Sequence, residues 1–304
     1  MKSFTLIFLI YFSFLSTSFG EYLFVEGNSS GSIIWSKFSN DKKLNLKNLF
    51  QNLAKSKTGR SLIRLANEKG KESGLSLYEL VEEGQGSLTD TTLVRKFNRV
   101  HFDKISYETN SKIFINRNLT QHDAILDLAH ELTHFVYRTQ FNPYLKNFSL
   151  SQFIKSTIEG EGGEVQAFMM ECRVQKELYK KKDDSRYNCR QITHPDTGEL
   201  SFSLARKRFY QVGNYFESFQ SLLHKHKLTK VFPDLSAQKE SFISSAYGIP
   251  YPVAAFEEYV SVLNRACEND RRRISLFKEE DGRAPASLSV LEESYKVRCS
   301  DFVN

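Results

Sequence analysis

Two histidines and a glutamate in the stretch "HDAILDLAHELTHFVYR", residues 122–138, have the spacing of a metal site. His130 and His134 are four residues apart, so on a helix they share one face and can aim imidazole nitrogens at one ion. Glu131 lies between them and could reach a water on that ion. The H-E-x-x-H pattern is typical of zinc sites in which the glutamate is the general base. The alternative, a helix with two unligated histidines, would be costly to bury.

A catalytic zinc needs a third protein ligand and a fourth position for water. The segment "IEGEGGEVQAF" offers Glu159, Glu161 and Glu164, on or near the start of the next predicted helix. Glu164 lies inside that helix, where the backbone holds it firmly, whereas Glu161 lies among glycines. All three could instead form a solvated acidic first turn that the helix dipole favours.

The two motifs together resemble those of the gluzincin metallopeptidases, whose third ligand is a glutamate on a later helix. Here Glu164-Val-Gln-Ala167 is similar to their Glu-x-x-Ala pattern, and the resemblance covers roughly residues 100–180. It implies Zn²⁺ bound by His130, His134 and Glu164, with Glu161 as the second choice of third ligand and Glu159 as the third. Further upstream, "LAKSKTGRSLIRLA" resembles a helix that precedes the sheet in some secreted zincins.

The resemblance also implies hydrolysis of a peptide or protein substrate, with Glu131 taking a proton from the attacking water. A donor for the oxyanion is expected from "SSAYGIPYPVAAFEEY", with Tyr247 first and Tyr251 second. The remaining candidate donors are His194, His224 and His226. For each of them the alternative interpretation is an ordinary surface residue.

At one position the sequence departs from the pattern of the family that it resembles. Several relatives carry Asp four residues after the ligand Glu, as a partner for a zinc-binding histidine, but here that residue is Phe168. Asp127 or Glu171 could substitute for it. The departure favours a second hypothesis, an inactive zincin-fold binding or structural module, whereas the intact Glu131 favours an enzyme. A third hypothesis is a zinc amidase acting on a non-peptide amide, for example in a cell wall.

The first twenty residues, "MKSFTLIFLIYFSFLSTSFG", have the pattern of a secretory signal peptide cut after Gly20. The apolar block Phe4–Leu15 is shorter than the roughly 20 residues needed to span a bilayer. We therefore expect a secreted or periplasmic protein without stable membrane insertion after cleavage.

Charge and cysteine content fit that expectation. The net charge of +6 is a mild bias, and basic runs such as residues 271–273 are typical of solvated helix ends, so no nucleic-acid partner is expected. Four cysteines in an oxidising compartment allow two disulfides. We expect Cys172 to pair with Cys189 and Cys267 with Cys299, with free buried thiols as the alternative. The oligomeric state is open.

The chain pattern predicts an α+β, zincin-like fold: a loose segment over 21–43, then a single domain over 44–304, with a small mixed sheet followed by a mainly helical C-terminal half. The predicted strands are Leu75–Val81, Val100–Ile105 and Lys112–Asn116. The predicted helices are 44–66 with a break at Thr58–Gly59, Gln121–Tyr137, Gly163–Lys180, and one each in "SFSLARKRFYQVGNYFESFQSLLHKH" and "YPVAAFEEYVSVLNRACEND".

Overall fold

The computed structural model describes residues 33–97, 105–145, 148–179, 187–279 and 286–300, which form a mixed α+β structure with most helices in the C-terminal half. The strands are β1 (Val81–Gly84), β2 (Leu88–Phe97) and β3 (Ile105–Asn116). The helices are α1 (Lys42–Leu53), α2 (Lys57–Glu72), α3 (Leu77–Leu80), α4 (Gln121–Tyr137), α5 (Leu150–Ile158), α6 (Glu164–Leu178), α7 (Tyr187–Gln191), α8 (Phe202–Phe209), α9 (Phe216–Lys225), α10 (Tyr251–Glu279) and α11 (Ala286–Cys299). No helix among the described residues is both long and apolar enough to cross a membrane.

The three strands form a mixed sheet in the order β1-β3-β2. β1 runs parallel to β3, and β2 runs antiparallel to it. In β3, Ile113 and Ile115 are fully buried because alternate residues of a strand face the same side. The predicted strand Lys112–Asn116 is therefore confirmed as the end of β3, whereas β2 was not predicted.

Of the two other strand predictions, one is wrong and one lies almost entirely outside the described residues. Leu75–Val81 is wrong, because the side chains and backbones of Ser76 and Glu79 form a capping box that starts α3, and β1 begins only at Val81. The prediction for Val100–Ile105 lies outside the described residues except for Ile105, which is the first residue of β3.

The start of the described chain packs more closely than its composition predicts. Trp35 is buried, and its indole Nε1 donates a hydrogen bond to the carbonyl oxygen of Asn116 at 2.8 Å. The described part of the segment expected to be loose, residues 33–43, is thus anchored to the sheet at Trp35. The break in the first predicted helix comes slightly earlier than expected, because Ser56 caps α2 by accepting from the backbone N–H of Gly59 at 2.7 Å.

Helix α4 has the predicted bounds and packs against α1, α2, α6 and the sheet. The hydroxyl of Thr120 caps it by accepting from the backbone N–H of Asp123 at 3.2 Å. Its aliphatic side chains Leu126, Leu128 and Leu132 are fully buried. A helix held by packing on several sides is a rigid support for the side chains it carries.

The C-terminal half contains more helices than predicted. The segment expected as one helix forms α8 and α9, with a break over 210–215, and α10 continues to Glu279. Helices α5, α7 and α11 were not predicted. Both predicted disulfides are confirmed: Cys172–Cys189 joins α6 to α7, and Cys267–Cys299 joins α10 to α11.

Buried apolar residues form two cores. The N-terminal core is built from α1, α2, the sheet and α4, and its largest fully buried side chains include Trp35, Leu49, Leu53 and Ile113. The C-terminal core is built from α5 to α11 and includes Phe153, Phe209 and Tyr259. Helix α4 belongs to the first core, whereas most of the buried face of α6 belongs to the second. These two neighbouring helices carry the predicted metal ligands.

Candidate metal centre

Helices α4 and α6 bring three potential metal ligands together. His130 and His134 come from α4 and Glu164 is the first residue of α6, and one ligand atom from each lies within 4.8 Å of the other two. All three side chains are largely shielded from solvent, at 15%, 6% and 11% exposure respectively. Such a group could hold a metal ion.

Both imidazole rings present the same nitrogen to Glu164. The Nε2 atom of His130 lies 3.3 Å from Oε2 of Glu164, and Nε2 of His134 lies 3.4 Å from Oε1. The other nitrogens have their own acceptors: Nδ1 of His130 lies 3.4 Å from the Glu171 carboxylate, and Nδ1 of His134 lies 2.8 Å from the Gly162 carbonyl oxygen. An acceptor at Nδ1 places the proton there, which leaves Nε2 free to bind a cation.

The charges of the ligands depend on one another. Burial lowers the pKa of His130, but its hydrogen bonds with Glu164 and Glu171 outweigh burial and hold that pKa well above its usual value. Burial raises the pKa of Glu164, but His134, His130 and Arg138 outweigh burial and hold that pKa well below its usual value. Because an imidazole must lose its proton to bind a metal, a cation and a proton compete for His130.

Glu131, the predicted general base, is buried next to His130 and faces the sheet. The hydroxyl of Thr89, on β2, lies 2.7 Å from Oε2 of Glu131 and 3.0 Å from its backbone oxygen. This hydroxyl can hold the carboxylate in one orientation. Sequence reasoning missed Thr89, because nothing in the local pattern links residues 42 positions apart.

Two further residues contact the ligands and were not predicted. Arg138, which follows α4, donates from Nη2 to Oε1 of Glu164 at 2.9 Å and from Nε to the carbonyl oxygen of Gly162 at 3.1 Å. The carbonyl of Gly162 therefore serves both Arg138 and His134. The available signals were the position of Arg138, four residues after His134, and the glycines of "EGEGG".

The alternative third ligands lie outside the cluster. Glu161 is exposed. Glu159 lies 3.5 Å from Arg206 and accepts a hydrogen bond from the hydroxyl of Tyr210 at 3.4 Å. Of the three predicted candidates, only Glu164 is grouped with the two histidines.

Phe168 packs in the C-terminal core. This is the residue at which the sequence departs from the pattern of the family that it resembles. Its ring lies 4.7 Å from that of Phe242. Of the two substitutes predicted from the sequence, Glu171 lies against His130 as described above, and Asp127 is buried on α4.

The aromatic candidates lie at the start of α10: Tyr247 precedes the helix, and Tyr251 is its first residue. Tyr247 is 40% exposed, and burial together with the nearby Glu258 carboxyl raises its pKa. No hydrogen bond among the described residues joins Tyr247 to the three ligands, so its role stays a prediction. The ring of Tyr251 packs 5.0 Å from that of Phe209 in the C-terminal core.

The three other candidate histidines lie outside the cluster. His194 is half exposed and lies 3.8 Å from Asp196. His224 and His226 lie at the end of α9, where the ring of His226 is 6.1 Å from that of Phe256.

Neither a protein-family model, nor a curated protein, nor a solved structure matches this chain.

Proposed function

We propose that this protein is an exported zinc-dependent endopeptidase of the gluzincin type, which hydrolyses peptide bonds with Glu131 as the general base. One observation carries the proposal. Nε2 of His130 and Nε2 of His134 both face the Glu164 carboxylate, while each Nδ1 has its own acceptor. This is the arrangement that an H-E-x-x-H helix with a downstream glutamate needs in order to bind a cation.

The donor set favours zinc over Ca²⁺ and Mg²⁺. Two imidazole nitrogens and one carboxylate oxygen suit Zn²⁺, whereas Ca²⁺ and Mg²⁺ prefer sites made of oxygen atoms alone. Three protein ligands leave one position open, as in catalytic rather than structural zinc sites. His130, His134 and Glu164 would hold the ion.

The chemistry divides between the ion and the chain. Bound zinc supplies Lewis acidity, which lowers the pKa of water towards 7 and polarises a carbonyl. Glu131 takes the proton of the attacking water and passes it to the leaving amine. Thr89 keeps the Glu131 carboxylate in place for both transfers. Tyr247 is our candidate for the hydrogen-bond donor to the developing oxyanion.

The proposed location is secreted or periplasmic. Two disulfides are typical of an oxidising compartment, and the N-terminal twenty residues, which lie outside the described residues, have the composition of a signal peptide. Both observations support export.

The test is zinc content and proteolysis of the purified chain beside matched variants. We expect one zinc per chain, lost in His130→Ala and Glu164→Ala but kept in the control His194→Ala, whose imidazole lies away from the site. Glu131→Gln should keep zinc and lose about 10²–10⁴-fold of the rate on an unstructured protein substrate.

Each other outcome has a distinct meaning. A wild-type chain that binds no zinc after zinc-replete preparation would refute the metal centre. Zinc binding without peptide hydrolysis would refute the endopeptidase and leave the binding module or the non-peptide amidase.

A further inference from the structure

The predicted third ligand begins a helix and needs a partner to hold its carboxylate. Glu164 directly follows Gly163, the N-cap residue of α6, so its side chain starts at the end of the element rather than within it. A glutamate has three rotatable side-chain bonds, and a metal ligand must keep one orientation to bind tightly. Phe168 cannot provide that restraint, since it is apolar and packs in the C-terminal core.

We infer that Arg138 is the positioning residue of the metal centre: it fixes the Glu164 carboxylate and the loop before α6, so that the ligands are arranged before the ion binds. This inference rests on the proposed function, because it assigns Arg138 a role at the same site. The residue lies at the C-terminal end of α4, and its side chain is 24% exposed.

The contact has the geometry that only a guanidinium group can make. Nε and Nη2 lie on one edge of the group and donate in parallel, here at 3.1 Å to the Gly162 carbonyl and at 2.9 Å to Oε1 of Glu164. A lysine has a single nitrogen on a flexible stem and cannot span both acceptors in this way.

Arg138 also distinguishes the two oxygen atoms of Glu164. It donates to Oε1, which also lies 3.4 Å from Nε2 of His134, whereas Oε2 lies 3.3 Å from Nε2 of His130. The oxygen atom that accepts the hydrogen bond from Arg138 is the weaker metal ligand, because its lone pairs are shared with a cationic donor. Arg138 would therefore leave Oε2 as the more available of the two oxygen atoms for a bound cation.

The same arginine connects Glu164 with a histidine ligand. The Gly162 carbonyl accepts from Arg138 and lies 2.8 Å from Nδ1 of His134. Loss of Arg138 would therefore release the carboxylate and also weaken the restraint on the loop that orients His134. The effect should appear in metal affinity and coordination geometry rather than in folding.

The experiment compares the full mature chain with Arg138→Ala, Arg138→Lys and the control Arg206→Ala. Arg206 is matched because it bridges Glu159, on the same α5–α6 connection, and Asp234, without touching a ligand. Zn²⁺ affinity is measured by competition with a chromogenic chelator, and the Co²⁺-substituted chain is examined by visible absorption. Thermal unfolding of the metal-free variants checks that they fold.

We expect Arg138→Ala and Arg138→Lys to bind Zn²⁺ about 10–100-fold more weakly and to alter the Co²⁺ spectrum, while Arg206→Ala binds as the wild type does. Added guanidinium ion at millimolar concentration should restore affinity to Arg138→Ala, whereas ammonium ion should not. Wild-type affinity in Arg138→Ala, or an equal loss in Arg206→Ala, would overturn the inference. Absence of zinc binding in the wild type would instead refute the proposed function.

Discussion

The two cores of the molecule are stabilised in different ways. The N-terminal core is mainly aliphatic and contains none of the cysteines, whereas the C-terminal core is rich in phenylalanine and contains all four, paired as two disulfides. The two candidate histidine ligands come from a helix of the first core, and Glu164 comes from a helix whose buried face lies mostly in the second. The candidate metal centre therefore lies where the two cores meet, and its geometry depends on both.

A second connection between the two regions is a buried ion-pair group. Asp270 on α10 is fully buried and accepts from Arg95 on β2, at 2.5 Å, and from Arg298 on α11. The Arg95 guanidinium carbon lies 4.0 Å from the ring centre of Tyr144, and Nη2 of Arg298 donates to the Tyr144 backbone oxygen at 3.0 Å. This group links the edge strand of the sheet to the C-terminal helices.

The largest loss of stability is expected from Asp270→Ala. Removing the shared carboxylate takes the Asp270 charge away from two largely buried guanidinium groups, which costs about 3–5 kcal/mol in the free energy of unfolding. Urea denaturation measures the change, and Glu268→Gln, an exposed acid on the same helix, is the control. A loss under about 1 kcal/mol, the range of surface ion pairs, would show that the group does not connect the two regions energetically.

Removal of the Cys172–Cys189 disulfide tests whether the cores unfold separately. The bridge spans 17 residues, so replacing both cysteines by alanine should cost about 3 kcal/mol. Hydrogen exchange should show faster exchange in α6 to α9 and little change in α1, α2 and the sheet. Equal acceleration in both regions would contradict the comparison, because it would mean that the cores unfold as one unit.

What the sequence could predict depends on how far apart along the chain the interacting residues lie. The bounds of α4 follow from local signals, namely the Thr120 cap and the apolar spacing, and both disulfides follow from proximity along the chain. Predicting that His130 and His134 share one helix face required only their spacing of four residues. These features depend on residues close together in sequence, where propensity and periodicity carry information.

The missed features depend on distant residues or on overlooked caps. The contact between Thr89 and Glu131 spans 42 positions, so no local pattern shows it. The contact between Arg138 and Glu164 spans 26 positions, and the local signals for it were only the position of Arg138 four residues after His134 and the nearby glycines. The error at Leu75–Val81 had a local cause, since the apolar alternation there also fits a single helical turn started by Ser76.

Gly162→Ala should affect the metal centre through the loop alone. Gly162 has φ +66°, and a β-carbon there would lie 2.2 Å from the backbone nitrogen of Arg138, so the loop must move away from α4. His134 and Arg138 then lose their shared acceptor, and we expect Zn²⁺ affinity to fall about 10–100-fold, or roughly 1.4–2.7 kcal/mol.

Gly198→Ala is the matched control for this experiment. Gly198 has nearly the same φ, +67°, but no atom within 4 Å of an added β-carbon, so it carries the backbone strain without the clash. Chelator competition on both variants separates the two effects. Equal affinities in Gly162→Ala and Gly198→Ala would show that the Gly162 carbonyl does not orient His134.

The smallest expected effect is a pH dependence at the other end of α6. Glu177 accepts from the backbone N–H of Thr58 at 2.9 Å and from its hydroxyl at 2.7 Å, and thus ties α6 to the first turn of α2. Burial raises the pKa of Glu177, but these hydrogen bonds, with others from Lys57 and Ser56, outweigh burial and lower it. Because the folded-state pKa is the lower one, the carboxylate stabilises the fold above its unfolded pKa of about 4.3. That contribution is lost as the pH falls through the folded-state pKa.

Glu177→Gln should therefore unfold at a lower temperature than the wild type at pH 7, and the difference should shrink towards pH 3. Exposed Glu68→Gln, whose partner is Arg64 on the same helix, should show little of this trend. A difference for Glu177→Gln that is the same at pH 7 and pH 3 would mean that the ionised carboxylate does not hold α6 against α2.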